Sequence, residues 1–157
     1  MDPFKVLFVC WGNICRSPAA ECVFQKQIDE QGLGDQITCD SAGTIGMHAG
    51  QPPDARMREA GAKRSISFFG RSRKFRPSDF NEFDLILAMD HSNMADLQAS
   101  MPIGDSKAVL GLFGSFVNSE QPMEVPDPYY GGGGGFDVVL DMVEEGCRNL
   151  INHILER

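Results

Sequence analysis

Apolar positions along the chain fall into short continuous runs separated by helical stripes. Lys5–Cys10 is nearly all apolar, as a strand buried on both faces requires. Ala20, Val23, Phe24 and Ile28 then recur with helical spacing, Pro18 suits the first turn of that helix, and Gly32 and Gly34 stop it. Ile37–Ala42 reads as a second strand. Pro52 and Pro53 open a helix expected to run to about Ala60, with Gly61 ending it. Asp84–Met89 is the next buried strand, residues 92–100 are helical, and Lys107–Leu110 is a short strand. From Asp137 to Leu155 one apolar stripe marks a long C-terminal helix. Residues 122–136 fit neither period and read as a long loop, a place where function often resides. Apolar strands alternating with helices predict an α/β fold with a parallel sheet, in a single domain over residues 1–157.

Composition narrows the class. No run of about 18 apolar residues is present, so no membrane association is expected. MDPFKVLFVC reads as a first strand rather than a signal peptide. Five cysteines, an odd number, argue for free thiols and a cytoplasmic setting rather than a disulfide framework. The net charge of −8 argues against nucleic-acid binding. Charge is uneven, however. Eight of the fourteen Lys and Arg lie between Arg56 and Arg76, against one acid, Glu59. That run is either a solvated surface or a basic rim that draws in an anion.

The chemistry concentrates in VCWGNICRSPAAE, residues 9–21. A strand-to-helix loop in such a sheet lies at the carboxyl end of the strands, where ligands bind. Consecutive backbone N–H groups there curl into an anion nest in front of a helix N-terminus. Gly12 and Asn13 tolerate the left-handed backbone this needs, and Arg16 offers a planar fork for phosphate oxygens. Cys10 sits at the base of the nest, where these groups favour its thiolate, and Ser17 can donate to the sulfur. A thiolate facing a bound phosphate is a nucleophile in position. A metal site is disfavoured, because Cys22, Cys39 and Cys147 lie on apolar stripes or strands rather than in a second pair. A purely structural turn would not need the arginine. Phosphate ester cleavage also needs an acid for the leaving oxygen. Residues 120–127 offer Glu120, Glu124 and Asp127, and Asp127 is flanked by two prolines in VPDPYYGG.

CWGNICRSPAAE, DSAGT at Asp40–Thr44, FDLILAMD at Phe83–Asp90 and DPYYGG, in this order, resemble the low-molecular-weight protein tyrosine phosphatases. The resemblance spans essentially the whole chain. It implies a four-stranded parallel sheet flanked by helices and hydrolysis of phosphotyrosine through a phosphocysteine, with no cofactor or metal. It implies that Cys10 is the nucleophile, Arg16 the phosphate clamp, Ser17 the thiolate stabiliser and Asp127 the general acid and then base. Trp11, Gly12, Asn13, Ile14 and Cys15 would form the phosphate loop, with Met47, Tyr129 and Tyr130 walling the cleft. Asn13 and Ser41 would brace the loop, and Cys15 would form a reversible disulfide with Cys10. Ile14 stands where relatives that prefer phosphoarginine carry threonine, so phosphotyrosine proteins or peptides are the expected partners, inorganic phosphate the product, and a monomer or weak dimer the expected state. Three positions depart from the family. Trp11 replaces a usual leucine, Met47 a usual aromatic and Gly70 a usual histidine, and the run of five glycines from Gly131 is longer than usual. Two alternatives share the sequence features: an arsenate reductase of the same fold, which would need a resolving cysteine pair, and a phosphotyrosine-binding scaffold with a dead site.

Overall fold

A computed structural model describes residues 2–157 apart from Ser119, Pro122 and residues 130–133. Four strands, β1 (Phe4–Cys10), β2 (Ile37–Gly43), β3 (Leu85–Ala88) and β4 (Val109–Leu112), form one parallel sheet in the order β2-β1-β3-β4. The helices are α1 (Arg16–Glu30), α2 (Ala55–Ala62), α3 (Asp79–Glu82), α4 (His91–Ala99), α5 (Gly114–Val117) and α6 (Gly135–Leu155). This is the single-domain α/β architecture that the pattern predicts.

The sheet is built on β1. Its neighbours lie on opposite sides, β2 on one and β3 on the other. Val6, Leu7, Phe8 and Val9 are all fully buried. Alternation then divides them. Val6 and Phe8 enter the core shared with α1 and α6, where Phe8 meets the edges of Phe24 and Phe113 at 5.4 and 5.9 Å. Leu7 and Val9 enter the opposite core with Phe80 of α3, Ile86 and Leu97 of α4. Each face therefore carries its own helices, which is why the run is apolar throughout rather than alternating. The chain leaves β1 for β2 on one side and crosses to β3 on the other, so the reversal opens a crevice at the carboxyl ends of β1 and β3.

Several boundaries differ from the pattern. Gly61 does not end α2, which continues to Ala62. A Cβ at Gly61 would stand 2.6 Å from the Phe68 ring, so this glycine serves close packing. The left-handed residue after the helix is Ser65, at φ 60°. Pro52 and Pro53 precede α2 rather than open it, and Asp54 caps it by accepting from the Arg56 N–H. Strand β4 lies two residues later than Lys107–Leu110. Its pairing begins at Val109 opposite Leu85, while the Lys107 ammonium sits outside and pairs with Asp84 at 3.3 Å. Helices α3 and α5 span only four residues each, too few for a periodic signal.

Candidate active site

The loop from Trp11 to Cys15 joins β1 directly to α1, which starts at Arg16 and places Pro18 in its first turn. Asn13 takes the left-handed conformation at φ 57°. Backbone contacts hold the loop to the end of β2: Thr44 N–H donates to the Cys10 carbonyl at 2.9 Å and Ile45 N–H to the Trp11 carbonyl at 3.1 Å. Gly43 permits this approach, since a Cβ there would lie 2.8 Å from the Trp11 carbonyl oxygen. Asp54 N–H ties the far side by donating to the Ile14 carbonyl at 2.7 Å.

Cys10, Asn13, Arg16 and Ser17 are all almost fully buried. The Cys10 sulfur lies 2.9 Å from Ser17 Oγ. Asn13 Nδ2 donates to Ser17 Oγ at 2.8 Å and to Ser41 Oγ at 2.9 Å. Ser41 Oγ in turn donates to Glu21 Oε1 at 2.6 Å. The structure thus brings Asn13 and Ser41 together behind the loop. It also supplies braces that the sequence did not reveal. Arg73 N–H donates to Asn13 Oδ1 at 3.0 Å, and Ser72 Oγ donates to the Gly12 carbonyl at 2.9 Å. Gly70, which stands where a histidine is usual, has φ 88° and open space around its missing Cβ. Bracing therefore comes from Ser72 and Arg73, the next residues but one and two in the same segment.

Arg16 is held from two directions. Its Nη1 donates to Asp90 Oδ2 at 2.6 Å and to the Val125 carbonyl at 3.1 Å, and its Nη2 lies 3.6 Å from Asp127 Oδ2. Burial works against the guanidinium charge, but Cys10, Asp90 and Asp127 outweigh it and hold the Arg16 pKa above its ordinary value. Asp90 also caps α4 by accepting from Asn93 N–H. Of the three candidate acids only Asp127 reaches the site. Glu124 accepts from His91 N–H on the surface, and Glu120 lines a separate cleft between α5 and α6. Asp127 Oδ1 accepts from Tyr129 N–H at 3.0 Å, which fixes its carboxylate beside the arginine.

These groups open into a small pocket lined by Cys10, Cys15 and Arg16, with Trp11, Gly12, Ile14, Asp127 and Tyr129 around them. Met47 is not part of it: its side chain is 72% exposed to solvent. His48, one residue on, lines the pocket instead, with its ring 6.0 Å from that of Tyr129. The expected place of Met47 in the cleft is corrected to His48, because the turn over residues 46–49 points the preceding side chain outward. Tyr130 and Gly131–Gly133 lie outside the described residues.

Half of the basic run, Arg56, Arg64, Arg73 and Arg76, pairs with acids. Arg73 pairs with Asp40 and Asp79, Arg64 with Asp137, Asp141 and Glu144 on α6, and Arg76 with Asp79 and Glu82. Arg56 is the member at the pocket mouth, stacked between the Tyr129 and Phe136 rings at 5.2 and 4.9 Å and donating to the Tyr129 carbonyl. Burial pushes the Cys15 thiol far up, helped by the charges of Asp54, Cys10 and Asp127, and burial likewise raises Cys22, Cys39 and Cys147. Among the described residues no three His, Cys, Asp or Glu side chains group to hold a metal, and no helix is long and apolar enough to cross a membrane.

Residues 5–157 match the family described as low molecular weight phosphotyrosine protein phosphatase. A Synechocystis protein carrying the same family designation is 49% identical over 150 residues, covering 96% of each chain. The crystal structure of a protein tyrosine phosphatase from Entamoeba histolytica superposes with a TM-score of 0.91 at 45% identity, covering 98% of this chain and 97% of that one. A Drosophila arginine phosphatase superposes with a TM-score of 0.88 at 32% identity, covering 96% and 97%. With a thiol, an arginine and a carboxylate meeting at the head of the sheet, the chain belongs to the low molecular weight phosphotyrosine protein phosphatases.

Proposed function

We propose that this chain hydrolyses phosphotyrosine in proteins or peptides through a phosphocysteine on Cys10. The observation that carries the reading is the convergence of Cys10, Arg16 and Asp127 on one pocket, with Ser17 2.9 Å from the sulfur. In the first step the Cys10 thiolate attacks phosphorus as the phosphorus–oxygen bond to tyrosine breaks. Asp127 passes its proton to the departing phenolate, and Arg16 with the loop N–H groups holds the non-bridging oxygens. In the second step water attacks the phosphocysteine, Asp127 takes its proton, the phosphorus–sulfur bond breaks, and phosphate leaves. Ser17 stabilises the thiolate at both ends of the cycle. In the resting site Asp127 leans on Arg16; a phosphate dianion entering the pocket takes over that guanidinium.

Trp11, His48 and Tyr129 give the pocket the ring-lined walls that an aryl phosphate fits. Phosphoarginine is the second substrate to weigh, given the Drosophila neighbour; Ile14 in the pocket lining favours the aryl ester by offering no hydroxyl for a guanidinium N–H. Cys15, in the same loop and kept protonated by burial, would supply the thiol that condenses with a sulfenic Cys10, releasing water and forming a reversible disulfide. We place the protein in the cytoplasm, as a monomer or weak dimer. Side-by-side hydrolysis of phosphotyrosine, phosphoserine and phosphoarginine peptides, with and without reductant, tests the reading. Phosphotyrosine turnover should dominate and require reductant after peroxide treatment. Preference for phosphoarginine, or no turnover by reduced protein, would overturn it.

A further inference from the structure

Behind the phosphate loop lies a half-buried carboxyl with no part in the reaction above. Glu21 sits on α1, two turns from the loop. Its Oε1 accepts from Ser41 Oγ at 2.6 Å, the shortest link of a continuous chain. Ser41 Oγ accepts from Asn13 Nδ2 at 2.9 Å, Asn13 Nδ2 also donates to Ser17 Oγ at 2.8 Å, and Ser17 Oγ faces the Cys10 sulfur at 2.9 Å.

Proton counting fixes the direction of each link. Asn13 Oδ1 accepts from Arg73 N–H, so its amide nitrogen must face the two serines and spend one hydrogen on each. Ser17 Oγ therefore accepts from Asn13 and has its single hydrogen left to donate. The sulfur lies closer to it than the alternative acceptor, the Ala42 carbonyl at 3.4 Å. Ser41 likewise accepts from Asn13 and must put its hydrogen elsewhere. An ionised Glu21, which is acceptor only, takes it in a charge-assisted bond. A protonated Glu21 carries its own hydrogen, which competes for the lone pairs of Ser41 or leaves it a weaker neutral acceptor.

We propose that Glu21 is a positioning residue for the nucleophile: its carboxylate orients Ser41, and through Asn13 and Ser17 fixes the hydrogen bond delivered to the Cys10 sulfur, a hold that slackens when Glu21 is protonated.

The surroundings make that protonation accessible. Burial pushes the Glu21 carboxyl up to about 7, the Ser41 hydrogen bond opposes it, Asp40 on β2 adds to the rise, and Arg73 from the segment after α2 opposes it. Cys39 on β2 and Cys22 on α1 are the remaining titratable neighbours, and both are held as neutral thiols. The Arg73 guanidinium is engaged by Asp40 and Asp79, so it moderates Glu21 without pairing to it. Among the described residues, Ser41 is the hydrogen-bond partner of the Glu21 carboxyl.

The inference rests on Cys10 being the nucleophile. Its test is the ratio of kcat for wild type to Glu21→Gln on a phosphotyrosine peptide, from pH 5 to 8.5. Glutamine keeps an acceptor for Ser41 but never ionises. Ionisations unconnected with Glu21, the substrate's included, act on both proteins and cancel in the ratio. The ratio should be near one below pH 6 and climb to about fivefold above pH 8, with a midpoint near neutrality and little change in KM, the scale set by a charge-assisted against a neutral hydrogen bond. A merely structural role would give a flat ratio, so a second readout separates the two. The side-chain amide resonances of Asn13 should shift with that midpoint in wild type and not in Glu21→Gln. A flat ratio, or Asn13 resonances that do not titrate, overturns this inference alone. Wild type that fails to turn over at any pH overturns it together with the proposed function.

Discussion

Asp90 carries the phosphate clamp, and removing it tests how the clamp is held. Arg16 Nη1 meets Asp90 at 2.6 Å, with the arginine side chain 3% exposed and the aspartate 20%. Breaking a fully buried pair by deleting one partner costs about 3–5 kcal/mol, because the remaining charge is left uncompensated. Asp90 is partly wet, and the Val125 carbonyl stays with Arg16 at 3.1 Å, so about 2 kcal/mol is the expected loss from the ion pair. Asp90 also caps α4, worth about 1 kcal/mol. Asp90→Ala should therefore lose about 3 kcal/mol in urea unfolding, and Asp90→Asn, which keeps a capping oxygen, about 2 kcal/mol. Catalysis should suffer more than stability suggests. Freed from Asp90, the guanidinium has Asp127 as its remaining carboxylate, 3.6 Å from Nη2. It would turn toward the acid that must protonate the leaving group. A misplacement of about 1 Å typically costs about a hundredfold, so kcat/KM on a phosphotyrosine peptide should fall by ~10–100-fold, with inhibition by inorganic phosphate weakened in parallel. Asp90→Ala with wild-type unfolding and unchanged phosphate inhibition would refute this account of the clamp.

Two further outcomes test other parts of the structure. Glu21 costs stability: its folded pKa of about 7 lies above the unfolded value, so the folded chain binds the extra proton and stability falls as pH rises through neutrality. A shift of that size corresponds to about 3 kcal/mol when fully felt, and solvent at the partly exposed carboxyl reduces it to about 2 kcal/mol. Glu21→Gln should be more stable than wild type by that amount at pH 8, closing to a few tenths by pH 4; equal stability at pH 8 would contradict the burial argument. In α6, a Cβ at Gly146 would stand 2.4 Å from the Phe113 ring, which is fully buried. Gly146→Ala should lose about 1–2 kcal/mol despite a gain in helix propensity, and a stabilised variant would mean that α5 and α6 pack less closely than described.

Much of this site is legible in sequence because it is contiguous. Cys10, Arg16 and Ser17 share one strand-to-helix loop, and the apolar run before it and Pro18 within the first helical turn place that loop at the head of the sheet. Asp127 is legible as the proline-flanked acid of a long loop, although spacing alone does not separate it from Glu120 and Glu124. The long-range braces are not legible. Arg73 reaches Asn13 across 60 positions and Asp90 reaches Arg16 across 74, and neither contact leaves a periodic trace. The basic run has the composition of a surface rim, yet half of it pairs with acids, Arg64 with α6 and Arg73 with Asp40 on β2. Glu21 is hidden differently. On a helix it reads as one more surface acid, and only the fold shows that its neighbour is Ser41 rather than water. His48 is missed because the register of a short turn decides whether it or Met47 faces the cleft.

The central claim is that phosphate passes through the Cys10 sulfur. Acid quenching of the enzyme during turnover of a phosphotyrosine peptide, followed by mass spectrometry of the fragment that contains Cys10, tests it directly. The account predicts one phosphoryl group on Cys10, absent from a Cys10→Ser variant that has lost turnover. Continued turnover by Cys10→Ser, or a wild-type enzyme quenched during steady turnover with no phosphoryl group on Cys10, would contradict it.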